Sequence, residues 1–276
     1  MDKNINDLKK YFNFDIFADI YDKTREISNS FQSIISLLFK KSGFKKGDRP
    51  IVLEVGIGTG MVISYLPNLR NLVPKYIGID ISKKMLKILQ KKYKNSDLEM
   101  ILADAYYLPF KKDKFDLSLM VRAVHILPRW KDAIREVKRC IKDNRLLVII
   151  TGGPGKKILN KCPSNDKYLE LREKYGYPLF YYGADWAEIP EFIKNELNAQ
   201  IEIFEGTYSV KKSLKKSLIE FEDQSMTWHM QVPKNIHDEI VQELKEFLLR
   251  LYSNLDIEEQ QLGYFNIGFI KFNKSN

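Results

Sequence analysis

Cysteine and histidine are scarce in this sequence, with two of the first and three of the second among 276 residues. Cys140 and Cys162 are too few for a disulfide framework and have no metal-ligand spacing to His or to each other, so a reducing, cytoplasmic setting and no metal site are expected. No apolar run approaches the ~18 residues of a membrane span. Runs such as Ile34-Ile35 and Leu37 to Phe39 are far shorter, and no membrane partner is expected. The opening MDKNINDLKK has no apolar stretch behind its charges, so no secretory signal is expected. Arginine is sparse too: the 45 basic residues include only ten, the rest being Lys. Because Arg makes most specific phosphate contacts, a net charge of +9 carried by Lys does not by itself imply a nucleic-acid partner. What remains, 44% hydrophobic, 12% aromatic and 29% charged, is an ordinary globular composition. The length suits one large α/β domain with an insertion, or two small domains.

Along the chain, Phe31, Ile34, Ile35, Leu38 and Phe39 recur at helical spacing before Gly43. Short apolar runs then predict strands at Pro50 to Val55, Tyr76 to Ile79, Leu98 to Leu102, Phe115 to Val121 and Leu146 to Ile150. Helical patterns lie between them at Met61 to Leu66, Ser82 to Tyr93 and Trp130 to Ile141. That alternation predicts right-handed βαβ units in a doubly wound parallel sheet. It breaks down after Thr151. We read 152–200 as a lid insertion with a short helix near Asn165 to Tyr175. Strands at Ile201 to Tyr208 and Tyr264 to Phe272 follow, with a long helix at Asn235 to Tyr252 between them. The long helix should present Ile236, Ile240, Leu244, Phe247, Leu248 and Leu251 on one face.

The strongest local signal is Leu53-Glu54-Val55-Gly56-Ile57-Gly58-Thr59-Gly60, where the first strand turns into a helix. Glycines there permit close backbone approach, and free N–H groups at the helix start attract an anion. The dinucleotide fingerprint would need Gly where Met61 stands, and no Gly-Lys-Ser/Thr closes a P-loop. Asp80 ends the second strand, where a carboxylate can accept from ribose hydroxyls, and it could instead cap the following helix. Asp104 follows the third strand, where it can accept from an adenine amino group. Three such features at the ends of three consecutive strands mark the edge at which open α/β sheets bind ligands.

In LEVGIGTG, GIDIS, ADAYYLPF, FDLSLMVRAVHILPRW and AIREVKRCIK the sequence resembles the class I S-adenosylmethionine-dependent methyltransferases. It is most similar to the small-molecule branch that includes ubiquinone-biosynthesis-type and trans-aconitate-type enzymes. The resemblance covers about residues 15 to 151 and thins beyond. It implies a Rossmann-like, seven-stranded sheet with an antiparallel last strand. It also implies that Glu54 and the turn of Gly56, Gly58 and Gly60 hold the methionine part of S-adenosyl-L-methionine. Asp80 would hold the ribose and Asp104 the adenine amino group, Ile81 and Ala105 would line the adenine pocket, and Val121 would lie beneath the cofactor. Tyr21-Asp22-Lys23-Thr24-Arg25 resembles the family's N-terminal Tyr-Asp-x-x-Arg segment, so Tyr21 could cover the cofactor and Arg25 pair with its carboxylate. One departure is Lys142-Asp143-Asn144-Arg145, where the family has a Pro-Gly-Gly turn. The implied layout is a single domain with an N-terminal cap at 1–45, a cofactor-binding core at 46–151, the lid at 152–200 and C-terminal strands and helices at 201–276.

His125 stands beside the expected methyl donor, where an imidazole would suit a general base, with a packing role as the alternative. Trp228 and His229 stand where the trans-aconitate-type branch has a Thr-Trp-Ser segment, and with Tyr181, Tyr182 and Trp186 they are the candidate walls of an acceptor pocket. Core packing would also account for such aromatics. The lysines of 83–92 and Lys211, Lys212, Lys215 and Lys216, the latter on an expected helix, read as solvated surface. The function expected is methyl transfer to a small molecule. The alternatives are an RNA or protein methyltransferase, for which the net charge speaks, and a non-catalytic cofactor-binding module. The Asn/Asp-Pro-Pro-Tyr/Phe tetrad of many base methylators is absent after the fourth strand.

Overall fold

The computed structural model describes residues 14–19, 21–24, 34, 37–38, 40–45, 47–65, 75–94, 96–152 and 162–273. Two short helices, α1 (Phe14–Phe17) and α2 (Tyr21–Thr24), precede the sheet. Strand β1 (Ile51–Val55) leads into α3 (Met61–Ser64), β2 (Lys75–Asp80) into α4 (Lys83–Lys92), and β3 (Leu98–Leu102) is followed by β4 (Phe115–Val121). Next come α5 (Trp130–Cys140), β5 (Ile141–Gly152), α6 (Pro163–Lys174), α7 (Glu188–Asn195) and β6 (Ala199–Ser213). Helices α8 (Leu214–Glu222) and α9 (Lys234–Tyr252) then precede β7 (Glu258–Phe272).

The seven strands form one sheet in the order β3-β2-β1-β4-β5-β7-β6. Strands β1 to β5 run parallel, and β7 is antiparallel to both of its neighbours. This is the Rossmann-like sheet with an antiparallel last strand. Its central strands β1, β2 and β4 are apolar on both faces because both are covered. Leu53, Val55, Ile77, Ile79, Met120, Leu147 and Ile149 pack toward α5 and α7. Val52, Tyr76, Leu117, Leu119, Val121 and Val148 pack toward Val62, Ile63 and Leu89 of α3 and α4.

Two expectations about the second half need correction. Lys142-Asp143-Asn144-Arg145 is a bulge within β5 and not a turn before it, since pairing with β4 jumps from Phe115↔Ile141 to Leu117↔Leu146. Asn144 supplies the left-handed residue (φ 58°) that the bulge needs. Asp116, opposite, accepts from Lys142 Nζ at 2.9 Å and from the Ile51 amide at 3.0 Å. The lid is also shorter than 152–200: α7 buries Ile189, Phe192 and Ile193 in the core of the sheet, with Phe192 edge-on to Trp130 at 5.1 Å.

Strands β6 and β7 pair over their whole length, from Ala199↔Phe272 to Ser213↔Glu258, whereas β5 covers β7 only from Phe265 to Lys271. The uncovered half is a two-stranded ribbon that delivers the chain to α8. Lys211 and Lys212 therefore belong to a strand, and Lys212, largely shielded, pairs with Glu220. Helices α6, α8 and α9 share a core of their own, built on Tyr168, Leu171, Leu218, Phe221, Ile240, Leu244 and Leu248. Leu251 is exposed and lies outside it.

Candidate functional site

The turn after β1 governs the site. The amides of Gly56 and Ile57 both donate to the Ile79 carbonyl, at 2.9 and 3.0 Å, which ties the turn to the end of β2. Gly58, at φ 55°, donates its amide to Asp80 Oδ2 at 2.8 Å, while Asp80 Oδ1 accepts from the Ser82 amide at 2.8 Å. Burial raises the Asp80 pKa and the amides of Ser82 and Gly58 oppose it. The cap of α4 is Ser82, whose hydroxyl accepts from the Met85 amide at 3.1 Å; Asp80 is not the cap.

At the C-terminal ends of β1 to β4 lies a cavity of about 730 Å³, counted with its open mouth. Of the candidate residues, Tyr21, Gly56, Gly58, Asp80, Ile81, Ala105 and Val121 line it. The N-terminal helices roof it. Phe14 and Tyr21 pack with Ala18, Met85, Ile88 and Met230. Asp15 fastens α1 by accepting from the Ser82 hydroxyl (2.5 Å) and the Lys84 amide (3.1 Å), at the positive end of α4. Asp22 fastens α2 by accepting from the Thr59 hydroxyl at 2.6 Å and pairing with Lys92.

Other candidates stand elsewhere. Glu54 shares a face of β1 with Val52, so it enters the apolar layer and accepts from the Tyr76 hydroxyl at 2.6 Å. Burial pushes its pKa up to about 8, against the Tyr76 bond and with help from Asp80. Gly60 faces α4: a Cβ there would lie 2.5 Å from Leu89 Cδ1. Asp104 is buried between two cavity-lining alanines and accepts from the Tyr106 amide at 2.9 Å. Arg25 lies outside the described residues.

His125 sits on a 3₁₀ turn, Val124–Ile126, that leads into the lining residues Ile126 and Leu127. Its carbonyl accepts from the Gly183 amide at 3.0 Å, so the Tyr181-Tyr182 segment runs directly beside it. Tyr182 is edge-on to Phe180 at 4.8 Å. Trp186 is a core residue, its indole N–H donating to Glu205 Oε1 at 3.3 Å. Trp228 and His229 belong to the helical layer: His229 is buried, stacked on Phe221 at 4.8 Å and met edge-on by Trp228 at 4.2 Å. The corner Trp228-His229 is thus packing, and its neighbour Met230 is what reaches the roof.

Sequence reasoning missed Phe14, Met85, Ala103, Arg122, Ala123, Ile126 and Leu127 on the cavity wall. The last four lie within one quoted motif, so its position after β4 was the available signal. Among the described residues no His, Cys, Asp and Glu cluster could hold a metal, and no helix is long and apolar enough to cross a membrane.

Residues 53–149 match a family model described as a methyltransferase domain. A phthiotriol/phenolphthiotriol dimycocerosates methyltransferase of Mycobacterium ulcerans is 33% identical over 108 residues, 39% of this chain and 39% of its own length. The uncharacterized protein MJ1123 of Methanocaldococcus jannaschii is 29% identical over 74% of this chain and 87% of its own. Among solved structures, the YcgJ protein of Bacillus subtilis superposes with a TM-score of 0.56 at 16% identity, covering 87% of this chain and 98% of its own. The chain spans half or less of the length of the first curated relatives it matches.

Proposed function

We propose that this chain, whose residues 53–149 belong to the class I S-adenosylmethionine-dependent methyltransferases, transfers a methyl group from S-adenosyl-L-methionine to a small-molecule acceptor. The observation that carries the reading is the roofed cavity, with an apolar slot of Ile81, Met85, Ala103 and Ala105 beside the Asp80 carboxylate and the Gly58 turn. A nucleoside fits those residues. The slot suits a purine ring, and Asp80 is a carboxylate that can accept from the ribose beside the backbone amides that already hold it. A Cβ built at Gly58 meets nothing within 4 Å, so the turn leaves room against its backbone.

When bound, the cofactor supplies a methyl on a positively charged sulfur, open to in-line displacement. The chain's contribution is alignment and the exclusion of water. Strands β1, β2 and β4 hold one wall fixed while Phe14 and Tyr21 close the other, which restricts the approach of an acceptor. Where the acceptor must lose a proton, His125 is the group we assign to accept it. A cavity roofed by α1 and α2 favours a small molecule over a polymer, and the M. ulcerans relative is named for dimycocerosates, not for a nucleic acid or protein. The two buried, free cysteines fit a cytoplasmic setting.

Calorimetry should detect S-adenosylhomocysteine binding, weakened at least 10-fold in Asp80→Ala, since charge-assisted hydrogen bonds contribute roughly 1.5 to 3 kcal/mol each. With cofactor labelled in its methyl group and a cell extract, label should enter the small-molecule fraction, and His125→Ala should lower that rate about 10²-fold. Label mainly in RNA or protein would replace the acceptor class, and binding without any transfer would leave a cofactor-binding module.

A further inference from the structure

Two charged residues line the cavity, and they stand on opposite sides of the glycine turn: Asp80 at the end of β2 and Arg122 after β4. The Asp80 carboxylate is held by two amides. Arg122 is held by its backbone, its amide donating to the Ile150 carbonyl at 2.7 Å, and among the described residues its guanidinium has no carboxylate partner. Its φ of 52° lies in the left-handed region, which a long side chain adopts only under constraint. Its positive charge also opposes the rise that burial gives the pKa of the Tyr65 phenol, at the end of α3.

A guanidinium on the wall of a mainly apolar cavity repels any cation brought against it, and the cofactor proposed above carries a sulfonium and an ammonium. Only an anion makes the position favourable, and a planar fork suits a carboxylate with two parallel hydrogen bonds. We propose that Arg122 is the carboxylate-binding residue of this cavity, receiving either the α-carboxylate of the cofactor's amino-acid part or an acid group of the acceptor. The inference deepens the methyltransferase reading and rests on it for the first of those sources.

The test compares wild type, Arg122→Lys and Arg122→Gln, which share the strained backbone position. Each is titrated with S-adenosylhomocysteine and with 5′-methylthioadenosine, which keeps the nucleoside and the sulfur but lacks the amino acid. If Arg122 holds the cofactor's carboxylate, Arg122→Gln weakens S-adenosylhomocysteine at least 10-fold, Arg122→Lys less, and methylthioadenosine binds all three equally. Equal methylthioadenosine affinity also shows that the variants are folded. If the carboxylate comes from the acceptor, S-adenosylhomocysteine affinity is unchanged, and benzoate added to the saturated wild type binds saturably but not to Arg122→Gln. Unchanged affinity for both S-adenosylhomocysteine and benzoate in Arg122→Gln overturns the proposal. Wild type that binds neither nucleoside would overturn the cofactor reading instead, leaving benzoate alone to decide the role of Arg122.

Discussion

Gly58 and Gly60 are two residues apart and do different work. Both have positive φ, 55° and 89°, but a Cβ at Gly58 would meet nothing within 4 Å while one at Gly60 would strike Leu89 and Tyr93 of the neighbouring helix. Gly58→Val should therefore abolish S-adenosylhomocysteine binding in a chain that stays folded by circular dichroism. Gly60→Val should act through stability, lowering the denaturant midpoint. Normal binding by folded Gly58→Val would remove the turn from the site. Glu54 gives a pH prediction at the same scale. Its carboxyl is favoured protonated in the folded chain, so its stabilising contribution is full below the ordinary value of 4.5 and is lost as pH rises through about 8. Glu54→Gln should accordingly flatten the decline of stability between pH 5 and 9, a difference on the order of 4 kcal/mol at the alkaline end. Parallel wild-type and variant curves by urea denaturation would refute it. The sequence announced a carboxylate beside a glycine turn. It could not say that β-strand alternation would turn Glu54 away from the cavity toward Tyr76.

At the scale of elements, legibility depended on whether both faces of a segment were covered. Strands β1, β2 and β4 are buried between helix layers, so their apolar runs were plain, whereas the edge strand β3 has no fully buried residue. The ribbon halves of β6 and β7 lack β5, and only the portion inside the sheet carried a readable pattern. Helix α7 has Ile189, Phe192 and Ile193 at helical spacing, yet Pro190 obscures it. The proline falls in the first turn, where amides have no intrahelical acceptor, so the helix tolerates it. The bulge of β5 was legible only as a missing Pro-Gly-Gly. Its anchor is Asp116, which is buried and joins the Ile51 amide to Lys142 and Arg145. Lys142 and Arg145 are each more than 40% exposed, so screening leaves little to the ion pairs, and the buried amide bond dominates. Asp116→Ala should cost about 2 kcal/mol, read as a lower urea midpoint at constant slope. A loss within experimental error would mean that the bulge holds without its anchor.

The whole molecule has a sheet with two apolar layers and a third, helical core, and a single buried arginine joins the loops where that core meets the site. Arg172 of α6 is buried and donates to the carbonyls of Tyr177 (2.6 Å), Trp228 (2.8 Å) and Pro178 (3.3 Å) and to Gln231 Oε1 (2.9 Å). Gln231 in turn clasps Phe180, accepting from its amide at 3.1 Å and donating to its carbonyl at 2.5 Å. These bonds hold the Tyr181-Tyr182 segment, whose far end reaches His125, against the turn that sends Met230 to the roof. Burial pulls the Arg172 pKa down without a carboxylate in any of these contacts. In the sequence Tyr181, Tyr182, Trp186, Trp228 and His229 are conspicuous as candidate walls of an acceptor pocket, whereas the residue that ties the Tyr181-Tyr182 segment to Trp228 is an unremarked charge within a helix. Arg172→Met keeps much of the volume and removes every donor, and should destabilise the helical layer by about 3 kcal/mol. Hydrogen exchange should then quicken in 177–182 and 226–232 while the amides of β1, β2 and β4 keep their protection, because those strands rest on separate cores. Methylthioadenosine should bind with nearly its wild-type affinity, since the slot proposed for adenine lies on the sheet side of the cavity. Unchanged exchange in both loops would show that packing of Tyr168, Phe221 and His229 alone holds the roof in register, and a uniform rise across the sheet would show that the three cores unfold as one.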